Sequence, residues 1–285
     1  MATRIDGKAI AQAVRSEVAS GVAEFIQRHG RAPGLHVILA GDDPASAVYV
    51  RSKEKMAKEV GIVGEVHRPD ETITQDQLMR MVSKLNADPQ VDGILVQLPL
   101  FKHLVAAPVL DLIDPAKDVD GFHPVNVGRL WSGLGGLVPC TPRGCMRLLA
   151  EAGAELKGAR AMVVGRSNLV GKPMAALLLA QHCTVTLAHS RTRDLGQRCR
   201  EADILVAAVG RAKMIKRDWV KPGAIVIDVG MNRDENGKLC GDVDYAEVEP
   251  IAQAITPVPG GVGPMTIAML LDNTLTAAKA REGEG

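Results

Sequence analysis

Short apolar segments of strand length alternate with helical segments twice along the chain, and this alternation restricts the fold more than any other feature. In the first half, residues 35–40 (LHVILA), 62–67 (IVGEVH) and 92–99 (DGILVQLP) are separated by two amphipathic segments. Strand, helix and strand in this order predict a parallel sheet. Because only 2% of the residues are aromatic, the core must consist of Ala, Val, Leu, Ile and Met. That composition favours α/β layering over an aromatic-rich β fold.

The second half begins a new α/β unit. We expect a helix over residues 173–182, and four strands over residues 159–165, 184–189, 202–210 and 223–230. Such a unit is of the doubly wound kind. Residues 100–140 show no clear element, and Thr141 with Pro142 suits a helix start after them. The 285 residues therefore predict two domains, 1–140 and 141–265, with the helical tail 266–285 packing back on the first.

Charge and composition exclude several classes of protein. The net charge of +1 gives no support to a nucleic-acid partner. No apolar run reaches the ~18 residues of a membrane span, and the N-terminus has no signal-peptide core. The five cysteines are scattered and form no CxxC pair, which argues against a disulfide framework and a zinc site. We expect a cytoplasmic protein without a metal.

The segment DDPASAVYVRSKEKMAKEVG, residues 42–61, predicts a helix with one inward lysine. Asp43 can cap it, Pro44 suits its first turn and Gly61 its end. At 100° per residue, Lys53 lies on the same helical face as Tyr49, Met56 and Val60. The charged residues of the opposite face are Arg51, Glu54, Lys55 and Lys58. Either Lys53 extends its amine into water, or it lies in a partly dry site whose desolvation lowers its pKa and suits it to acid–base catalysis.

The turn GRSNLVGKP, residues 165–173, is a weak nucleotide motif. It follows a strand and enters a helix, whose free N–H groups favour a pyrophosphate, although Ser167 replaces the second glycine of GxGxxG. A simple tight turn is the alternative. About 20 residues on, where NAD-binding units have a carboxylate, the chain has HSRTR, residues 189–193. Hydroxyl and guanidinium groups suit a 2′-phosphate, as does Arg166, so a bound dinucleotide is predicted to be NADP.

Three further features are candidates for a substrate site. Gln97 lies near the C-terminal end of a strand, the edge at which open α/β sheets bind ligands. Asp120 belongs to the acidic turn KDVDGFHP, and TPVPGGVGPMT, residues 256–266, is a loop of restricted shape. Each also has an ordinary structural interpretation, as an exposed amide, a turn or a connector.

Taken together, these segments resemble the bifunctional methylenetetrahydrofolate dehydrogenase/cyclohydrolase family over nearly the whole chain. The matching stretches, in the order and spacing of the family, are DDPASAVYVRSKEKMAKEVGI, DGILVQLPL, DPAKDVDGFHPVNVGRL, PCTPRG, VVGRSNLVGKP, AHSRT, KPGAIVIDVGMN and TPVPGGVGPMTIAMLL. The resemblance implies two α/β domains flanking a cleft, a three-layer folate-binding domain and a Rossmann-like NADP domain. It also implies a homodimer in one-carbon metabolism.

The resemblance implies two successive reactions: oxidation of 5,10-methylenetetrahydrofolate to the methenyl form with NADP, then hydrolysis to 10-formyltetrahydrofolate. Lys53 would be the principal catalytic residue, Tyr49 would position the folate, Gln97 would tune Lys53, and Asp120 would anchor the pterin. The remaining implied folate-binding residues are Leu98, Pro99, Pro259, Gly260 and Gly261. The implied NADP-binding residues are Gly165, Arg166, Ser167, Ser190, Arg191 and Met231.

Two rival interpretations remain. Short-chain dehydrogenases also combine Tyr-x-x-x-Lys with NADP, but their glycine turn comes first, whereas Tyr49 and Lys53 here precede Gly165. A non-enzymatic NADP-responsive binding protein is the second rival. The joint presence of Lys53, Gln97 and Asp120 argues against it.

Overall fold

The computed structural model describes residues 2–284 and divides into two units. One unit contains residues 2–12 and 141–266, and the other contains residues 13–140 and 267–284. Residues 2–12 group with the second half of the chain, whereas the sequence predicts them in the first domain. The reason is that strand β1 (Thr3–Arg4) pairs in parallel with β11 (Ala254–Ile255). The predicted class, two α/β domains, is confirmed.

The elements alternate along the chain as the apolar segments predict. The further strands are β2 (Leu35–Ile38), β3 (Val66–His67), β4 (Gly93–Val96), β5 (Arg160–Val164), β6 (Thr184–Ala188), β7 (Ile204–Ala207), β8 (Ile225–Asp228), β9 (Asn232–Arg233) and β10 (Leu239–Cys240). The helices are α1 (Gly7–His29), α2 (Pro44–Glu59), α3 (Gln75–Ala87), α4 (Ala106–Asp111), α5 (Pro124–Trp131), α6 (Cys140–Glu151), α7 (Gly171–Ala180), α8 (Leu195–Cys199), α9 (Tyr245–Val248) and α10 (Val262–Arg281). A short 3₁₀ turn covers Arg217–Trp219.

In the unit of residues 13–140, three parallel strands form a sheet in the order β3-β2-β4. Its apolar core joins the sheet to α3 and α4 through buried side chains such as Ile38, Leu78, Ile94 and Val109. Residues 267–284 belong to this unit, and the buried carboxylate of Asp92 ties them to it. That carboxylate accepts hydrogen bonds from Arg31 and Arg281, so the end of α10 is anchored by charge as well as by apolar contact.

The capping box that Thr74 and Gln77 predict is present at the start of α3. Thr74 accepts from the Gln77 N–H at 3.3 Å, and the Gln77 side chain accepts from the Thr74 N–H at 2.8 Å. Removing a helix cap of this kind costs about 1 kcal/mol. We expect Thr74→Ala to lower the free energy of unfolding by about that amount in urea titrations. Ser83→Ala, at an exposed position inside the same helix, should be neutral or slightly stabilising.

The prediction that residues 100–140 lack regular elements is wrong in part, because α4 and α5 lie there. Pro124 stands in the first turn of α5, and the His123 ring accepts from the Val125 N–H at 3.2 Å. The predicted cap at Thr141 is also wrong. Helix α6 already begins at Cys140, and the Thr141 hydroxyl pairs with that of Thr266 at 2.9 Å instead.

In the other unit, six parallel strands form one sheet in the order β1-β11-β8-β7-β5-β6. From β5, the chain goes first to β6 on one side and then to β7 on the other. The carboxyl ends of β5 and β7 therefore border the crevice in which doubly wound sheets bind ligands. No helix within residues 2–284 has both the length and the apolar character that crossing a bilayer requires.

Candidate functional site

Helix α2 turns Lys53 into the interior of its unit. Asp43 accepts from the Ser46 N–H at 2.8 Å and fixes the first turn, as the sequence predicts. Lys53 is only 5% exposed, whereas Arg51, Lys55 and Lys58 are exposed on the opposite side. The alternative in which Lys53 extends its amine into water is therefore wrong, since almost the whole side chain is withdrawn from solvent.

The Lys53 amine has a neutral hydrogen-bond partner. Its Nζ donates to Oε1 of Gln97 at 3.0 Å, and the Tyr49 ring centroid lies 5.0 Å from Nζ. The Gln97 amide donates through Nε2 to the Leu98 carbonyl at 2.8 Å, which orients its oxygen toward the lysine. Tyr49, Lys53, Gln97 and Leu98 thus meet where α2 passes the end of β4.

Burial changes the protonation of this cluster. Withdrawal from water lowers the pKa of Lys53, while the charges of Asp120 and Cys140 act in the opposite direction. Burial raises the pKa of Asp120 to about 6. The charge of Lys53 lowers this pKa, and the charge of Asp118 raises it further. Burial thus lowers the pKa of the amine and raises that of the carboxyl, and such shifts suit a pair of groups to acid–base chemistry.

The second unit contains a cavity of about 590 Å³ at the carboxyl ends of β5, β6 and β7. It is lined by Val164, Gly165, Arg166, His189, Ser190, Thr192, Leu195, Ala208, Val209, Arg211, Met214 and Trp219. Gly165 has φ +124°, and a Cβ there would overlap the Ala208 carbonyl, so only glycine fits. The lining contains arginines and hydroxyls but no carboxylate, which suits a phosphorylated ligand.

Two family models match most of the chain. Residues 5–120 match the catalytic domain of tetrahydrofolate dehydrogenase/cyclohydrolase, and residues 139–282 match its NAD(P)-binding domain. The chain belongs to the tetrahydrofolate dehydrogenase/cyclohydrolase family. The predictions of this family and of a bifunctional enzyme of this class are thereby confirmed.

Individual members of the tetrahydrofolate dehydrogenase/cyclohydrolase family are similar over their full length. The bifunctional protein FolD of Sorangium cellulosum is 64% identical over 283 residues, with 99% of each chain covered. The Campylobacter jejuni FolD methylenetetrahydrofolate dehydrogenase/cyclohydrolase superposes with a TM-score of 0.95 at 48% identity, covering 99% of this chain and 100% of that one. The Trypanosoma brucei enzyme, crystallised with NADP cofactor and inhibitor, gives 0.92 at 41% identity and 98% coverage of both chains.

The structure of this family member brings some predicted cofactor residues together and leaves others apart. Gly165, Arg166 and Ser190 line the cavity. Ser167, Arg191 and Met231 are not among its lining residues. The Ser167 hydroxyl instead accepts from the Val170 and Gly171 N–H groups and shapes the turn before α7. For Arg191 and Met231, binding of the nucleotide stays a prediction.

The predicted folate residues lie in both units. Tyr49, Lys53, Gln97, Leu98, Pro99 and Asp120 belong to the unit of residues 13–140, whereas Pro259, Gly260 and Gly261 belong to the unit with the nucleotide cavity. There, Gly260 has φ +101°, a conformation that favours glycine, and a Cβ at Gly261 would overlap the Pro257 carbonyl, which accounts for glycine at both positions. Within residues 2–284, no three His, Cys, Asp or Glu side chains are grouped as a metal site would require.

Two residues that pack around the segment before Asp120, Cys140 and Asn273, were not predicted from the sequence. Cys140 is buried; its thiol donates to the Val119 carbonyl at 3.3 Å and lies 3.9 Å from Asp120 Oδ1. Asn273 of α10 donates to the carbonyls of Val119 and Val138, both at 2.8 Å. Asn273 thereby fixes the segment that ends in Asp120. Nothing in the tail sequence indicates this, because the contact joins residues 154 positions apart.

Proposed function

We propose that this chain oxidises 5,10-methylenetetrahydrofolate to the methenyl form with NADP and then hydrolyses it to 10-formyltetrahydrofolate, with Lys53 as the catalytic residue of the hydrolysis. The observation that carries the assignment of Lys53 is its amine, which is buried and hydrogen-bonded at 3.0 Å to a neutral amide. The membership of the chain in the tetrahydrofolate dehydrogenase/cyclohydrolase family supplies the reactions.

The chemistry of the hydrolysis requires one group that moves protons. Oxidation leaves a cation delocalised over N–C–N, and hydrolysis adds water to its carbon and transfers protons away. An amine with a lowered pKa releases its proton more readily than a solvated lysine does, and in its neutral form it can accept a proton from that water. The Gln97 oxygen positions the Lys53 amine without the full charge of a carboxylate, which would hold the proton on it.

The other residues of the cluster have binding roles in this proposal. The Tyr49 ring, 5.0 Å from the Lys53 amine, packs against the folate. Asp120 anchors the pterin, whose ring N–H groups suit a carboxyl acceptor. Leu98 and Pro99, which follow Gln97, and the Pro259–Gly260–Gly261 loop shape the folate pocket; the family resemblance alone supports these five assignments.

The nucleotide cavity fits NADP by the chemistry of its lining. Gly165 admits a close approach of the backbone, and Arg166 and Ser190 offer a guanidinium and a hydroxyl to a 2′-phosphate. Ser167, Arg191 and the Met231 backbone complete the proposed set. When bound, NADP supplies the hydride acceptor. The chain itself has only to bind and orient the two reactants.

A homodimer and a cytoplasmic location are the remaining parts of the proposal. The five cysteines, all within the described residues, are buried thiols that form no disulfide, as is usual in a reducing compartment. Sedimentation at the 30.2 kDa monomer mass at micromolar concentration would contradict the dimer. The absence of a nucleic-acid partner stays a prediction.

One assay tests both reactions. Purified protein with methylenetetrahydrofolate and NADP should give the absorbance of the methenyl product, and NADP should be clearly preferred over NAD. Methenyltetrahydrofolate given alone should then decay well above its uncatalysed rate. NADP binding without either reaction would favour the non-enzymatic binding protein, and a preference for NAD would contradict the cofactor assignment.

A further inference from the structure

A carboxylate that lies outside the nucleotide cavity holds one wall of that cavity in place. Asp242, 0% exposed, follows β10 in the chain and makes no direct contribution to the cavity lining. Its Oδ2 accepts from the N–H groups of Val209 at 2.6 Å and Gly210 at 3.1 Å. Its Oδ1 accepts from the Arg211 N–H at 2.8 Å and from the Asn232 amide at 2.9 Å.

These four donors fill the hydrogen-bonding capacity of the group. An ionised carboxylate has about four lone-pair sites, and each of them can accept one hydrogen bond. Three of the four donors are consecutive backbone N–H groups of the loop after β7, residues 209–211. Val209 and Arg211 line the nucleotide cavity. The position of this wall is therefore set by a buried charge that lies behind it.

A second buried carboxylate fixes the first. Asp228, at the end of β8, accepts from the backbone N–H groups of Asp242 and Val243, both at 2.9 Å. Side chains at Gly230 and Gly241 would overlap Asp242 and Asp228 respectively, so both positions must be glycine for the two acids to pack. Burial and the neighbouring Asp242 raise the pKa of Asp228 to about 7.

We propose that Asp242 is a positioning residue for the dehydrogenase reaction, which sets the 209–211 loop against the nucleotide. This inference rests on the proposed function, because it assumes that NADP occupies the cavity. Asp242 touches neither reactant. It keeps three backbone N–H groups pointed away from the cavity. It thereby holds the loop in a single conformation.

The matched variants are Asp242→Asn and Asp244→Asn. Asparagine offers one acceptor oxygen and one NH₂ group, so in either orientation two of the four donors face a donor. Asp244 lies two residues away, and its side chain makes no capping hydrogen bond with α9. We expect Asp242→Asn to raise the KM and the calorimetric Kd for NADP by on the order of tenfold. Its folate KM and its hydrolysis of methenyltetrahydrofolate should stay within about twofold of wild type, as should every parameter of Asp244→Asn.

A milder variant provides the test if Asp242→Asn does not fold. Asn232→Ala removes one donor and leaves the three backbone contacts, so we expect a rise of a few-fold in the KM for NADP with the hydrolysis unchanged. General destabilisation would lower the amount of active protein without changing KM. If the folded variants bind NADP as wild type does, Asp242 has no positioning role. If the wild-type protein does not bind NADP, the proposed function fails first and this inference with it.

Discussion

Lys53→Met should lower the rate of methenyltetrahydrofolate hydrolysis by on the order of a thousandfold, since a positioned acid–base group contributes 10²–10⁴-fold. Methionine is apolar and of similar length, so it fills the space of a side chain that is only 5% exposed. Only the amine that donates to Gln97 is lost. Decay of methenyl absorbance in excess of the uncatalysed rate is the measurement.

Lys55→Met is the matched control for that variant. Lys55 lies on the same helix, its side chain is 77% exposed, and it pairs with Glu59 at 3.8 Å. Its removal should leave hydrolysis within about twofold, because exposed pairs of this kind are worth little. Calorimetric titration with NADP should give the wild-type Kd for both variants. Undiminished hydrolysis by Lys53→Met would refute the catalytic role of Lys53.

The fold could be predicted where one local signal determines an element. The apolar runs predicted β2, β4, β5, β7 and β8, and the Thr74–Gln77 pattern predicted the start of α3. The two-residue strands β1 and β11 were missed because they exist only through pairing with each other and with β8. The pairing of β1 with β11 joins residues about 250 positions apart, and no local sequence pattern indicates it.

The candidate site, too, could be predicted only where a local sequence pattern determines it. Helical periodicity predicts that Lys53 lies on the inward face of its helix, and the structure agrees. Periodicity alone does not distinguish a buried amine from one that reaches solvent. Burial and the Gln97 contact, 44 residues away in the chain, decide between them. Cys140, Asn273 and Asp242 were missed for a related reason: their contacts are made to backbone groups of distant segments, which residue types do not encode.

Arg166→Ala should reduce the preference for NADP over NAD. The guanidinium lines the nucleotide cavity directly after Gly165, and no carboxylate of that lining competes for it. A charge-assisted hydrogen bond to a phosphate contributes about 1.5–3 kcal/mol, which corresponds to a rise of roughly 10- to 100-fold in the KM for NADP. The KM for NAD, which has no 2′-phosphate, should change little. Initial rates of methenyl formation with each nucleotide measure both constants.

Arg160→Ala is the control for Arg166→Ala, because Arg160 is an exposed arginine at the opposite end of the same strand, β5. Its loss removes the same charge from the unit without touching the cavity, and both KM values should stay at the wild-type level. An equal rise in KM for NADP and NAD with Arg166→Ala would assign Arg166 to a group that both nucleotides share, such as the pyrophosphate. Recognition of the 2′-phosphate would then fall to Ser190, the other polar residue of the proposed set that lines the cavity.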